Sequence, residues 1–124
     1  MNISDTSSIL IIDDDKALSR ALSLFFHVQG KNIRLTSFGS AEEAFEMLKI
    51  NEYDIIICDY WLPGMNGMDF FKTIGKTQPR ARKILLTSYK NDYINQKTAA
   101  PGIHRIVPKP FTKKELEILL SSEI

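Results

Sequence analysis

Short unbroken apolar runs alternate along this chain with stretches in which apolar residues recur every three or four positions. Ile9-Leu10-Ile11-Ile12, Ile55-Ile56-Ile57-Cys58 and Ile84-Leu85-Leu86 are continuous and largely β-branched, the pattern of strands buried on both faces. Ile33 to Phe38 alternates instead, which predicts a shorter, more exposed strand at a sheet edge, and Arg105-Ile106-Val107 predicts a short fifth strand. Between the first two strands, Leu18, Ala21, Leu22, Phe25 and Val28 form one face of a helix over 16–29, with Asp15 as its N-cap and Gly30 closing it. Ser40 and Glu43 make a capping box for a helix that carries Ala44, Phe45, Met47 and Leu48 and ends near Asn51. A third helix is expected over 66–76 with Met68, Phe71 and Ile74 inward, before Gln78-Pro79 breaks the pattern. A weaker one is expected over 90–100, where Asn91, Asp92 and Asn95 are poor helix formers. Thr112 and Glu115 form a second capping box for a last helix bearing Leu116, Leu119 and Leu120.

Five alternations of strand and helix, with strands too apolar to be half-exposed, imply an α/β fold: a doubly wound, five-stranded parallel sheet with helices on both faces, joined by right-handed crossovers. The 124 residues fit one domain over 1–124 and hold no internal repeat or low-complexity segment. A formal net charge of +1 gives no general attraction to nucleic acid or an anionic membrane, so no direct nucleic-acid or membrane partner is expected. The single cysteine, Cys58, lies inside an apolar run and reads as a buried thiol, and with no signal pattern or membrane span the chain reads as cytoplasmic. The charges of Lys72, Lys76, Arg80, Arg82 and Lys83 read as a solvated face, and His27 and His104 as helix-surface and strand-end residues.

The polar residues that interrupt the apolar runs carry the chemistry. Asp13-Asp14-Asp15, Asp59, Thr87-Ser88 and Lys109 all stand at or just past strand carboxyl ends, where open parallel sheets build their sites. With the first and third strands adjacent, Asp13, Asp14 and Asp59 converge, and two carboxylates about 4 Å apart repel by roughly 4 kcal/mol at an effective dielectric near 20. Clustered carboxylate oxygens suit a hard divalent cation such as Mg²⁺, and Mg²⁺ with the Lys109 ammonium balances three carboxylates. A phosphoryl group arriving on Asp59 would be clamped by the metal, the ammonium, the Thr87 hydroxyl and loop amides.

Ile12-Asp13-Asp14-Asp15, Asp59-Tyr60-Trp61-Leu62-Pro63-Gly64-Met65-Asn66-Gly67, Leu86-Thr87-Ser88 and Lys109-Pro110-Phe111 together resemble the receiver domain of bacterial two-component response regulators, in order and over essentially the whole chain. The resemblance implies a flavodoxin-like strand order 2-1-3-4-5 and a phosphorylation-switched signalling module rather than an ordinary enzyme. Asp59 would accept a phosphoryl group from a sensor histidine kinase or phosphotransfer protein. Mg²⁺ would be held by Asp13, Asp14, Asp59 and the backbone carbonyl of Trp61, with Thr87 and Lys109 binding the phosphoryl group. Output would pass to a downstream effector, or to a homodimer through the face of the fourth helix, fifth strand and fifth helix. The Lys109-Pro110 bond would be cis. Ile106 departs from the family, which usually has Tyr or Phe there, so aromatic switching is in question and a degenerate receiver that binds partners without phosphorylation is the alternative. A haloacid-dehalogenase-type phosphatase claiming Asp13 and Asp15 is a weaker rival, since that motif wants Thr or Val where Ala17 stands and no cap domain fits. Trp61 and Tyr89, each two residues past a site residue, are expected to flank the phosphoryl group, with Trp61 exposed.

Overall fold

The structure, a computed structural model, describes residues 7–31, 33–75, 77–87 and 102–109, together with Thr112 and Lys114. The helix expected over 90–100, Tyr89, Pro110 with its peptide bond, and Glu115 of the second capping box lie outside these residues. The described elements run β1 (Ser8–Ile12), α1 (Ala17–Val28), β2 (Arg34–Phe38), α2 (Ala41–Leu48), β3 (Ile55–Asp59), α3 (Gly67–Ile74), β4 (Arg82–Thr87) and β5 (Arg105–Pro108). All four strand pairings are parallel, in the order β2-β1-β3-β4-β5, so β2 is at an edge as its alternation predicts.

The continuous apolar runs follow from burial on both sides. Ile9, Ile11, Ile55, Ile57, Ile84 and Leu86 pack on one face against Leu18, Leu22 and Phe26 of α1. Leu10, Ile12, Ile56, Cys58 and Leu85 pack on the other against Ala41 and Ala44 of α2 and Met68, Phe70, Phe71 and Ile74 of α3. Alternate side chains along the middle of each central strand thus enter different cores, which is why these runs are apolar at every position.

Several local expectations are corrected. The buried stripe of α1 is Leu18, Leu22 and Phe26 with Phe25 partly covered, one row of i, i+4 neighbours, while Ala21 and Val28 face out. The N-cap of α1 is Lys16 rather than Asp15. Asp15 instead folds an Asx turn just before the helix, its Oδ1 accepting from the Ala17 amide at 3.0 Å. Ser40 caps α2, accepting from the Glu43 amide, and α2 ends at Leu48, short of Asn51, whose amide donates to the Met47 carbonyl in the following turn. Asn66 caps α3 through its Oδ1 and the Asp69 amide at 2.9 Å, and Gly75, at φ +50°, turns the chain out of the helix.

The solvated basic face is the largest departure. Lys72 and Arg80 are exposed, but β4 begins at Arg82, so Arg82 and Lys83 are buried within the sheet. Lys83 is accommodated because its ammonium donates to the Gln78 carbonyl at 2.6 Å. Gln78 is itself buried, with its side chain accepting from the Tyr53 amide and donating to the Leu48 and Asn51 carbonyls.

Candidate functional site

Parallel pairing of β1 with β3 and of β4 with β5 carries four strand ends to one edge of the sheet. Asp13 continues β1, its amide donating to the Phe38 carbonyl at 2.9 Å, so its side chain starts from a fixed and buried backbone. Asp14 follows on the exposed side of the turn. Asp59 is the last residue of β3 and is buried, and Tyr60 prolongs the ladder by donating to the Leu86 carbonyl at 2.7 Å. Lys109 extends β5 in the same way, its amide reaching the carbonyl of buried Thr87 at 2.7 Å.

The side chains meet accordingly. Carboxylate oxygens of Asp13, Asp14 and Asp59 lie within 4.8 Å of one another. The Lys109 ammonium bridges two of them, 2.9 Å from Asp13 Oδ2 and 3.2 Å from Asp59 Oδ2. Asp13 Oδ1 also accepts from the Asp15 amide at 2.9 Å, and the Trp61 amide donates to Asp59. The indole of Trp61 is exposed as expected and meets Tyr60 edge-to-face with ring centroids 5.1 Å apart.

Electrostatics follow this crowding. Burial pushes the Asp59 carboxyl above its ordinary value; the Lys109 ammonium pulls it back, and the Asp13 charge pushes it up again. For Lys109 burial acts against the charged form but is outweighed by the hydrogen bond to Asp13 and the charge of Asp59, so the ammonium is held more firmly than usual. The pair is asymmetric because Asp59 is the more deeply buried and also faces a second carboxylate. The Cys58 thiol is driven far toward its neutral form by burial and then by Asp59 and Asp13, as an inert core residue should be.

Every ligand atom in the acidic cluster is a carboxylate oxygen, with one of the three side chains open to solvent. That donor set fits a hard cation which keeps part of its water, as Mg²⁺ does, and offers nothing to a sulfur- or nitrogen-preferring metal.

A sequence model of the response regulator receiver domain matches residues 9–121. The chain belongs to that family. This receiver domain is 32% identical over 108 residues to the cell cycle transcriptional regulator CtrA of Caulobacter vibrioides, covering 87% of this chain and 46% of that protein. It is 32% identical over 110 residues to the DNA-binding transcriptional regulator NtrC of Azospirillum brasilense, covering 89% of this chain and 22% of that one. The receiver domain thus spans less than half the length of these relatives. Among solved structures, the chemotaxis response regulator CheY4 of Vibrio cholerae superposes with a TM-score of 0.80 at 22% identity, over 93% of this chain and 96% of that one. TrrA of Thermotoga maritima, solved in complex with Mg²⁺-BeF, gives a TM-score of 0.75 at 25% identity over 92% and 96%. The flavodoxin-like fold of the receiver domain is therefore established, with the order 2-1-3-4-5. Among the described residues no helix is long and apolar enough to cross a membrane.

Sequence reasoning named Asp13, Asp14, Asp59, Thr87 and Lys109, and the structure gathers them at one end of the sheet. It missed the Trp61 amide as a donor to Asp59, since a backbone group leaves no trace in residue identity.

Proposed function

We propose that this receiver domain is switched by transfer of a phosphoryl group from a sensor histidine kinase or phosphotransfer protein onto Asp59, with Mg²⁺ as cofactor. The observation that carries the reading is the ammonium of Lys109 lying between Asp13 and Asp59 while Asp14 completes a cluster of three carboxylates. Asp13, Asp14, Asp59 and the Trp61 carbonyl would hold the ion, which when bound supplies positive charge to the phosphoryl oxygens.

An Asp59 carboxylate oxygen forms a bond to phosphorus as the bond from phosphorus to the donor nitrogen breaks, and the donor imidazole leaves. Lys109 is already within hydrogen-bond reach of Asp59 and takes up charge on the transferred group without reorganising. The Thr87 hydroxyl, at the end of the neighbouring strand, binds a second phosphoryl oxygen. The Mg²⁺-BeF complex of TrrA supports the same chemistry here. Regulators such as CtrA and NtrC support an effector beyond the receiver as the recipient of the signal.

Treating the protein with acetyl phosphate and Mg²⁺ and measuring intact mass tests this reading: one phosphoryl group is expected on wild type and none on Asp59→Asn. Unchanged stoichiometry in Asp59→Asn would sink it.

One observation favours a second reading. Ile106, half-buried on the α2/α3 face, stands where the family usually has an aromatic ring, so a switch that turns such a ring inward is not available. If phosphorylation alters no partner affinity, the chain acts as a degenerate receiver; dimerisation or effector binding with and without beryllofluoride separates the two.

A further inference from the structure

We propose that Gly67 is a positioning residue for Asp59: the bare Cα at the start of α3 lets the helix press on the carbonyl of the phosphoacceptor, and that contact fixes where the carboxylate stands. The inference rests on Asp59 being the phosphoacceptor.

A methyl group added at Gly67 would overlap the Asp59 carbonyl oxygen, and would lie 2.7 Å from Leu85 Cδ1 and 3.1 Å from the Asp59 carbonyl carbon. No real side chain tolerates such approaches, so one of the partners must give way. Leu85 ends in a methyl that a rotamer change can move. The Asp59 carbonyl is backbone, one bond from the Cα that carries the carboxylate. Its own surroundings are tight: the Cys58 thiol donates to that same oxygen at 3.4 Å, and Asp59 is paired in register with Leu86.

The helix has little room to retreat. Phe70, Phe71 and Ile74 anchor α3 in the core, Asn66 caps it, and the Gly67 amide donates to the Tyr60 carbonyl at 2.9 Å. That bond ties the first residue of the helix to the residue after Asp59, so the loop from Tyr60 to Asn66 is closed at its base. The strand end therefore yields, and the Asp59 carboxylate is carried away from the Lys109 ammonium that it now meets at 3.2 Å. A displacement of roughly 1 Å at a reacting group lowers its rate by up to about a hundred-fold, because near-attack geometry is lost.

The test compares wild type, Gly67→Ala, Leu85→Ala, Gly67→Ala/Leu85→Ala and, as a destabilised control at the opposite end of the sheet, Gln78→Ala. Two readouts are taken: the Lys109 Nζ to Asp59 Oδ2 separation in metal-free crystal structures, and the rate of phosphorylation by acetyl phosphate. Gly67→Ala is expected to lengthen the separation and slow phosphorylation roughly ten- to hundred-fold, while Gln78→Ala keeps the wild-type rate. Removing the Leu85 methyls relieves one of the two contacts, so the double variant should be less destabilised than the single effects add to, yet as slow as Gly67→Ala. A merely structural role would restore rate along with stability. The proposal is overturned if Gly67→Ala keeps the separation and reacts within about twofold of wild type, or if the double variant matches Leu85→Ala in rate. Should Gly67→Ala fail to fold, the double variant is judged against Leu85→Ala alone. Should wild type take no phosphoryl group, the phosphoacceptor reading falls and the metal-free separation decides the positioning role.

Discussion

The backbone amide of Lys83 donates to Nδ1 of His104 at 3.0 Å, while the His104 amide donates to the Lys83 carbonyl at 2.8 Å. An imidazole thus begins the β4–β5 ladder in place of a strand carbonyl. Nδ1 accepts only while unprotonated, so the proton of the neutral ring sits on Nε2. Burial, then the charges of Lys83 and Arg82, hold the imidazole below its ordinary value of 6.5. The unfolded chain therefore takes up the proton first. Stability is full above that ordinary value and falls as pH drops through it toward the lower folded value. Urea midpoints measured from pH 7.5 down to about pH 5 should decline more steeply for wild type than for His104→Gln, whose amide oxygen accepts without titrating. Parallel profiles would count against the assignment.

Asp59 shows the opposite sign from the usual carboxylate. Its folded value is raised, so the folded protein holds the proton longer and stability declines as pH rises from the unfolded value of 3.8 through the folded one. At neutral pH without divalent cations, Asp59→Asn should therefore raise stability, read as a higher denaturant midpoint than wild type. A lower midpoint would show that the ion pair with Lys109 outweighs the burial.

Cation binding should relieve the same crowding. Mg²⁺ at about ten times its dissociation constant should stabilise wild type by about 1.4 kcal/mol, and the gain should vanish in Asp14→Ala at the same concentration. Calorimetric titration of both proteins checks it, and equal affinity in the variant removes Asp14 from the ligand set.

Gln78 ties the end of α2, the approach to β3 and the start of β4 through hydrogen bonds to Tyr53, Leu48, Asn51 and Lys83. Gln78→Ala strands buried backbone groups and should lower stability by about 2–3 kcal/mol, with no change in phosphorylation rate at a temperature where both proteins are folded. A surface-like effect, below about 0.5 kcal/mol, would show that water takes over those bonds.

Trp61 donates its backbone amide to Asp59, and its exposed indole provides no carboxylate or amide to orient an attacking water. Phosphorylated Trp61→Asn should lose its phosphoryl group roughly ten times faster than wild type, equivalent to about 1.4 kcal/mol. Equal decay rates would assign the ring to a partner surface.

The two-sided parallel sheet and the strand-end position of Asp13, Asp14, Asp59, Thr87 and Lys109 were legible in the sequence because each rests on contrast: an unbroken β-branched run means two buried faces, and a polar residue at its end marks where the strand meets its loop. The order 2-1-3-4-5 came only through the resemblance to receiver domains. Lys83 and Gln78 were not legible. A polar residue next to a strand reads as solvated unless its partner is known, and those partners are a backbone carbonyl five residues away for Lys83 and three backbone groups more than twenty residues away for Gln78. The cap of α1 was misplaced by one residue because Asp15 makes a capping-like bond just outside the helix. Gly67 was legible only as the end of the Asp59-to-Gly67 motif, where the third helix opens; its contact with Asp59 exists only once α3 is packed.

The strand order also sets a timetable for synthesis. β1 is made first but sits between β2 and β3, so a nascent chain that ends before Ile55 leaves the Ile9–Ile12 edge with half its backbone groups unsatisfied. Such a chain presents a sticky template, and holding it until β3 emerges would be work for a chaperone. Asp59 is the last residue of that awaited strand, and Lys109 arrives fifty residues later. Protein released early by a stalled ribosome would therefore carry the acidic pair of the first turn without the counter-charge that lets it close.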